Sequence, residues 1–363
     1  MKNRLAAFTI PLFVSFGIIT GPALAEDRLV IQRDVVTFAV LPDGVRFPEG
    51  ITANPANGDI YVGTFDTGPN SNKLLRYNRH GRLIASRDFG NTPLLGLEFD
   101  RANQKVYITN VGDFVGTGSK IQRVAANLTQ LEEVAIIPPI GAPAPRTVGN
   151  PDGSSDTIAF GSGARVPNAM VFDSRGNLYI SDSFQGAIFR IDDAAHCHTP
   201  CLVATVTHDP LLATAGFPPF GANGLAFNSD ESALFVANTG DDRVLKITNL
   251  TSPSPTVTVF AESLNGADGL VSDDQGRLWV ATNQADEVVA LNANGRIVAK
   301  LGEFRGIRRD GTPDGLLFPA SPVIVGDEIF VTNLAIALTP TAGDEPEEDV
   351  TRWTISRMAL PRR

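Results

Sequence analysis

The sequence predicts an all-β chain folded as a six-bladed β-propeller, and three observations carry the prediction. One short pattern is written six times along the chain, helix signals are nearly absent, and low charge goes with abundant glycine and proline. The clearest copy runs from Gly266 to Asn283. There Leu270 to Ser272 makes a first strand, Asp274-Gln275-Gly276 supplies turn chemistry, and Arg277 to Thr282 is β-branched and aromatic. Further copies begin at Glu49-Gly50, Leu95-Gly96, Asn168-Ala169 and Asn223-Gly224, and a degenerate sixth runs from Ser321 to Asn333.

In chain order, the first element is not a blade. Lys2 and Arg4 form a basic start, Leu5 to Thr20 is mostly apolar, and Ala23-Leu24-Ala25 is a small-residue cleavage signal. Residues 1–25 are therefore expected to be a secretory signal, and 26–363 a single propeller domain that is periplasmic or secreted. The apolar part is too short and too interrupted by Pro and Gly to span a bilayer, and no other stretch is a membrane-span candidate. Val35 to Leu41 is β-rich and is expected to complete the last blade, closing the ring without an open sheet edge. The blades then take roughly residues 48–89, 94–137, 166–206, 221–262, 266–301 and 319–360.

Four long insertions, Pro138 to Arg165, His208 to Gly221, Gly302 to Leu317 and Leu334 to Val350, should emerge on one face, because successive strands of a blade alternate in direction. Four such loops on one side predict a walled entrance. The acidic run from Asp344 to Asp349 reads as a solvated loop. Cys197 and Cys201 read as a small-loop disulfide or idle thiols rather than a zinc site, since no further Cys or His occupies a matching repeat position. The formal charge of −10 argues against nucleic acid or an anionic membrane as partner and is compatible with a small neutral substrate or a cation.

Internal repeats separate structural from functional positions. At the ends of the second strands Asn110, Asp182, Asn238, Asn283 and Asn333, with Asp66 at approximately the same place, are alike, which suggests turn chemistry. The residue that opens each first strand instead varies: Glu49, Leu95, Asn168, Asn223, Asp268 and, in the degenerate copy, Ser321. All six are expected at the top of the central channel. Two carboxylates converging there would repel and be costly to desolvate, whereas a divalent cation cancels both charges. Oxygen donors on a flexible ring favour Ca2+ over Zn2+ or Mg2+. A water-filled channel mouth lined by polar groups is the alternative that geometry alone leaves open.

Over essentially the whole mature chain, the sequence resembles the calcium-dependent six-bladed propellers of the gluconolactonase/regucalcin family (SMP-30/gluconolactonase/LRE-like), related in architecture to diisopropylfluorophosphatase and the paraoxonases. The resemblance rests on Pro48-Glu49-Gly50, Pro167-Asn168, Asn223-Gly224, and Asp268-Gly269 with Arg277-Leu278-Trp279-Val280-Ala281. It implies that Glu49, Asn168, Asn223 and Asp268 hold one catalytic metal. The pattern departs from the sugar-acid lactonases at Val166, where they place an arginine; Arg165 is next door but on the other side of a strand. Nor do His80, His196, His198 and His208 match the histidine pair of the paraoxonases. The resemblance therefore implies metal-assisted hydrolysis of lactones, esters or phosphotriesters, with Asp268 as general base or nucleophile. Rival readings are a non-enzymatic NHL-type binding platform and a strictosidine-synthase-like enzyme.

Overall fold

The computed structural model describes residues 29–113, 117–340 and 342–361. The stretch read as an export signal lies outside the described residues. Each first strand pairs with the second, the second with the third, and the third with the fourth, all antiparallel. In blade one these are Pro48–Asn54, Asp59–Thr64, Asn72–Tyr77 and Leu83–Gly90. The innermost strands of the other blades are Leu94–Asp100, Pro167–Phe172, Ala222–Phe227, Ala267–Ser272 and Pro319–Val325. All lie within a few residues of the expected boundaries.

Val36–Val40 pairs antiparallel with Thr354–Ala359 and is the outer strand of blade six, so the chain closes on itself as expected. One strand was not expected. Val30–Gln32 adds to blade five in parallel with Ile297–Leu301, giving that blade a fifth strand.

Strand alternation explains how the blades stick together. In Asp59–Thr64, Ile60 and Val62 pack towards blade six while Tyr61 packs towards blade two. In Leu278–Thr282, Trp279 faces blade six and Val280 faces blade four. Every central strand is thus buried on both faces, and a period of two sends alternate side chains into two different interfaces. A separate apolar cluster, including Phe65, Leu95, Phe318 and Leu334, gathers at the top of the channel.

The insertions carry some structure of their own. The 138–165 segment contains a hairpin, Arg146–Gly149 with Ser155–Ile158, and 302–317 contains another, Phe304–Ile307 with Pro313–Gly315. Cys197 and Cys201 are joined in a disulfide, and no free cysteine remains among the described residues. The acidic run is not uniformly solvated: Glu345 accepts hydrogen bonds from the backbone N–H groups of Leu338 and Thr339, at 2.5 and 2.7 Å, and so pins the Leu334–Val350 loop. No described helix is long and apolar enough to cross a membrane.

Candidate functional site

Register decides which residue of each blade reaches the channel top. The pairs Pro48↔Thr64, Leu94↔Asn110, Pro167↔Asp182, Ala222↔Asn238, Ala267↔Thr282 and Pro319↔Asn333 are equivalent, and an irregularity follows each of them. The next residue on each first strand is then Glu49, Leu95, Asn168, Asn223, Asp268 and Ala320. Ser321 is displaced from the sixth position by one residue, and the ring there is apolar. Glu49, Asn168, Asn223 and Asp268 do come together, lining one small pocket, and each is buried.

The glycines that follow the donors serve the packing of the channel. A Cβ at Gly50 would lie 1.8 Å from the Leu95 carbonyl oxygen, and one at Gly224 would lie 2.4 Å from that of Asp268. Only a bare Cα lets neighbouring inner strands approach so closely. Hydroxyls of the preceding blade fix the donors' backbone. Thr109 donates to the Asn168 carbonyl at 2.8 Å, and Ser181 to that of Asn223 at 2.7 Å. Thr332 donates to the Glu49 carbonyl at 2.7 Å.

Side-chain partners orient the donors. The Asn168 amide nitrogen donates to Ser183 Oγ, and that of Asn223 to Thr239 Oγ1, each at 3.0 Å. Tying back the amide nitrogen leaves the amide oxygen as the end available to the channel. Asp268 Oδ2 accepts from Asn283 Nδ2 at 3.0 Å. Asp268 Oδ1 and Glu49 Oε2 are buried with no hydrogen-bond partner. Burial pushes the Glu49 carboxyl well above its ordinary range, and the nearby Asp268 adds to the shift. Burial likewise raises Asp268 to about 7, with Asn283 and Asn223 pulling it back.

These observations test whether the residues fit a cation. Two carboxylates facing each other under burial, each with one orphaned oxygen, are costly unless a positive charge lies between them. The amide oxygens complete a hard-oxygen donor set of the kind Ca2+ takes. The residues fit. Among the described residues no cluster of three or more His, Cys, Asp or Glu is placed to hold a metal, and here only two of the four donors belong to those types.

Asn283 is the functional residue that the sequence reading assigned elsewhere. Grouped with the turn residues, it in fact stands one place beyond the strand end, since Thr282 is the residue equivalent to Asn110 and Asn238. Ser183 and Thr239 occupy the same place in blades three and four, and each holds its own blade's donor. The signal was the variation of that position, hidden by a one-residue offset. Gly266 makes room for it: a Cβ there would lie 1.9 Å from Asn283 Oδ1.

The pocket above the ring has a volume of about 90 Å³. Two of the four insertions reach it, through Pro218 and Phe220 and through Leu334, Ile336 and Leu338, whereas neither the 138–165 nor the 302–317 insertion lines it. Arg165 turns away and donates to the Ile137 carbonyl at 3.1 Å, while Val166 is fully buried in the apolar cluster at the channel top. Beneath the ring a larger chamber of about 500 Å³ continues down the channel, with Glu98 in its wall. Asn168 and Asn223 border both spaces, but only the upper one contains the two carboxylates.

The family model of the SMP-30/gluconolactonase/LRE-like region matches residues 218–302. Blades four and five are thus the part of the chain similar to that family region. The match contains Asn223, Asp268 and Asn283 and bears out the gluconolactonase/regucalcin resemblance. No curated protein matches the chain at the sequence level. Among solved structures, a luciferin-regenerating enzyme superposes with a TM-score of 0.58 at 14% identity, over 87% of this chain and 92% of that one. A regucalcin from Agrobacterium tumefaciens, described as a calcium-binding protein, gives 0.57 at 15% identity, over 92% and 95%. A gluconolactonase from Xanthomonas campestris gives 0.55 at 15%, over 90% and 89%. At these identities the likeness establishes the six-bladed fold.

Proposed function

We propose that the protein is an exported, Ca2+-dependent hydrolase of lactones or esters, with phosphotriesters as a further candidate class. The observation that carries the reading is the convergence of Glu49, Asn168, Asn223 and Asp268, with Glu49 Oε2 and Asp268 Oδ1 buried and partnerless. The family region spanning Asn223 and Asp268 supports it, as do structural neighbours described as a calcium-binding protein and a gluconolactonase. A disulfide and the apolar, small-residue-terminated start of the sequence support export.

Glu49, Asn168, Asn223 and Asp268 would hold the ion. When bound, it supplies an electrophilic contact that polarises a carbonyl or phosphoryl oxygen. The chain's own contribution is positional and acid–base. Asn283 fixes one Asp268 oxygen, which leaves Oδ1 free to receive the proton of a water. As that proton transfers, the water oxygen bonds to the carbonyl carbon, the lactone or ester C–O bond breaks, and the proton passes on to the leaving oxygen. The apolar walls limit competing water around the reacting group.

Elemental analysis and thermal melting in chelator and in excess calcium test the metal. About one calcium per chain is expected. At a calcium concentration a thousandfold above Kd the stabilisation is about 4 kcal/mol. No divalent metal and identical melting in both conditions would end the calcium reading. Calcium binding without turnover of any lactone, aryl ester or phosphotriester would favour an NHL-type binding platform instead.

A further inference from the structure

We infer that the substrate is uncharged and apolar in its body, an alkyl- or aryl-substituted lactone or ester, and that polyhydroxylated sugar lactones are poor substrates. The inference rests on the hydrolase reading above and adds the substrate class to it.

The upper pocket is polar only at its floor. Glu49, Asn168, Asn223, Asp268, Thr239 and Asn283 supply that floor; the amide nitrogens of Asn168, Asn223 and Asn283 are tied to Ser183, Thr239 and Asp268, and Asn283 Oδ1, buried without a partner, abuts Gly266. The walls are Phe65, Leu95, Phe220, Phe318, Ile336 and Leu338. They come from blades one and two, from the start of blade six and from two of the long insertions, and they belong to the apolar cluster at the channel top. Among the described residues no Lys, Arg or His lines the pocket, so an anionic substrate meets no counter-charge from them there. Arg46, whose guanidinium lies over the Phe47 ring, is engaged in a two-pronged pair with Asp66, at 2.9 and 3.0 Å. A sugar lactone would have to bury several hydroxyls against carbon, where each loses its water and gains no partner.

The volume points the same way. The space above the ring, about 90 Å³, is much smaller than the chamber of about 500 Å³ below it. The floor therefore takes little more than the reacting group, and the remainder of a substrate must run along the apolar walls. Ile336 and Leu338, half-buried on the pinned Leu334–Val350 loop, are placed to contact it.

The test compares an alkyl-substituted δ-lactone with gluconolactone in excess calcium, and in parallel measures calorimetric binding of the two corresponding non-hydrolysable lactams. Expected are a kcat/KM preference for the alkyl lactone of at least ~10² and tighter binding of the alkyl lactam. Ile336→Asn and Leu338→Asn, each shown to melt like the parent, should narrow the preference by about tenfold or more. Equal or better turnover of gluconolactone would overturn the substrate class while leaving the hydrolase reading intact. If neither lactone turns over, the hydrolase reading fails and the lactams decide: a sugar lactam that binds as tightly as the alkyl one overturns the inference. Wall variants that leave the preference unchanged also overturn it.

Discussion

Two rings of Asn and Asp side chains encircle the propeller, and they differ in what their polar atoms find. The ring at the ends of the second strands is satisfied by its own blade or by the loop leading into it. Asp182 accepts from the N–H groups of Val166, Phe184 and Gln185, at 2.9–3.2 Å. Asn110 Oδ1 accepts from Gly112 N at 3.0 Å, and Asn333 Oδ1 accepts from Leu317 N at 3.1 Å. The ring at the starts of the first strands lies one layer further in and is left incomplete, with Glu49 Oε2 and Asp268 Oδ1 unpartnered. The lesson is that identical residue types carry opposite meanings, and the count of satisfied atoms separates them. Side chains that complete their own hydrogen bonds hold the blade; side chains that cannot are held open for something else.

The largest expected effect comes from breaking the incomplete ring at its proposed base. Asp268→Asn keeps the shape and an oxygen donor, so the protein should fold and still bind calcium, more weakly. Loss of the general base should lower kcat by about 10²–10⁴ fold. Steady-state kinetics alongside a calcium titration check this, and a calcium-loaded variant with full rate would remove Asp268 from the reaction.

A smaller effect sharpens the same comparison from the satisfied side. Asn333 also donates to Thr354 Oγ1 and Ser356 Oγ, at 2.8 and 3.0 Å, and it is fully buried. Asn333→Ala leaves several buried groups unpaired and should cost about 1–3 kcal/mol of stability while calcium affinity stays at the parent value. Asn283→Ala should do the reverse. The fold loses one hydrogen bond, worth about 1 kcal/mol, whereas Asp268 loses the donor that orients it, so calcium affinity and kcat should both fall. Denaturant melts and calcium titrations on the two variants give the contrast. If both behave alike, the distinction between the rings is wrong.

What the sequence made legible follows from what repetition can encode. Blade number, blade limits and the closing strand Val36–Val40 were all readable, because each blade repeats one pattern of alternating apolar residues. The donors Glu49, Asn223 and Asp268 were readable because each precedes a glycine at the start of a first strand, and Asn168 because it holds the same place in its own repeat, before Ala169. Two assignments slipped by one residue. Ala320 holds the place expected of Ser321, and Asn283 lies past the strand end rather than on it. Each first strand carries an irregularity between its two paired ends, and a sequence does not show where that extra residue falls. Val30–Gln32 was missed because three residues carry no periodicity, and its partner is supplied by blade five rather than by the neighbouring sequence.

The smallest expected effect concerns a carboxyl that belongs to neither ring. Glu98 stands three residues beyond Leu95 on the blade-two inner strand, in the wall of the lower chamber. The equivalent residues, Thr52, Val171, Ala226, Val271 and Val323, carry no ionisable group. Burial pushes the Glu98 carboxyl up from 4.5 to about 8; Arg101 pulls it back and Asp100 pushes it further up. The folded state therefore holds this proton more tightly than the unfolded chain does. Stability from that proton is complete below about pH 4.5, where both states are protonated, and is lost progressively as pH rises to about 8. Burial raises Asp286 to about 6 and Glu347 to about 7, so these two contribute to the lower part of the same window. Melting in excess calcium, from pH 5 to pH 9, should show stability falling through this range in the parent. Glu98→Gln should flatten the part nearest pH 8 and leave the lower part in place. The change should be modest, because Glu98 is half-buried and the chamber beside it is open enough to hold solvent. A variant whose pH profile overlays the parent's would mean that water in the lower chamber already keeps Glu98 ionised, and that only the upper ring holds carboxyls out of reach of solvent.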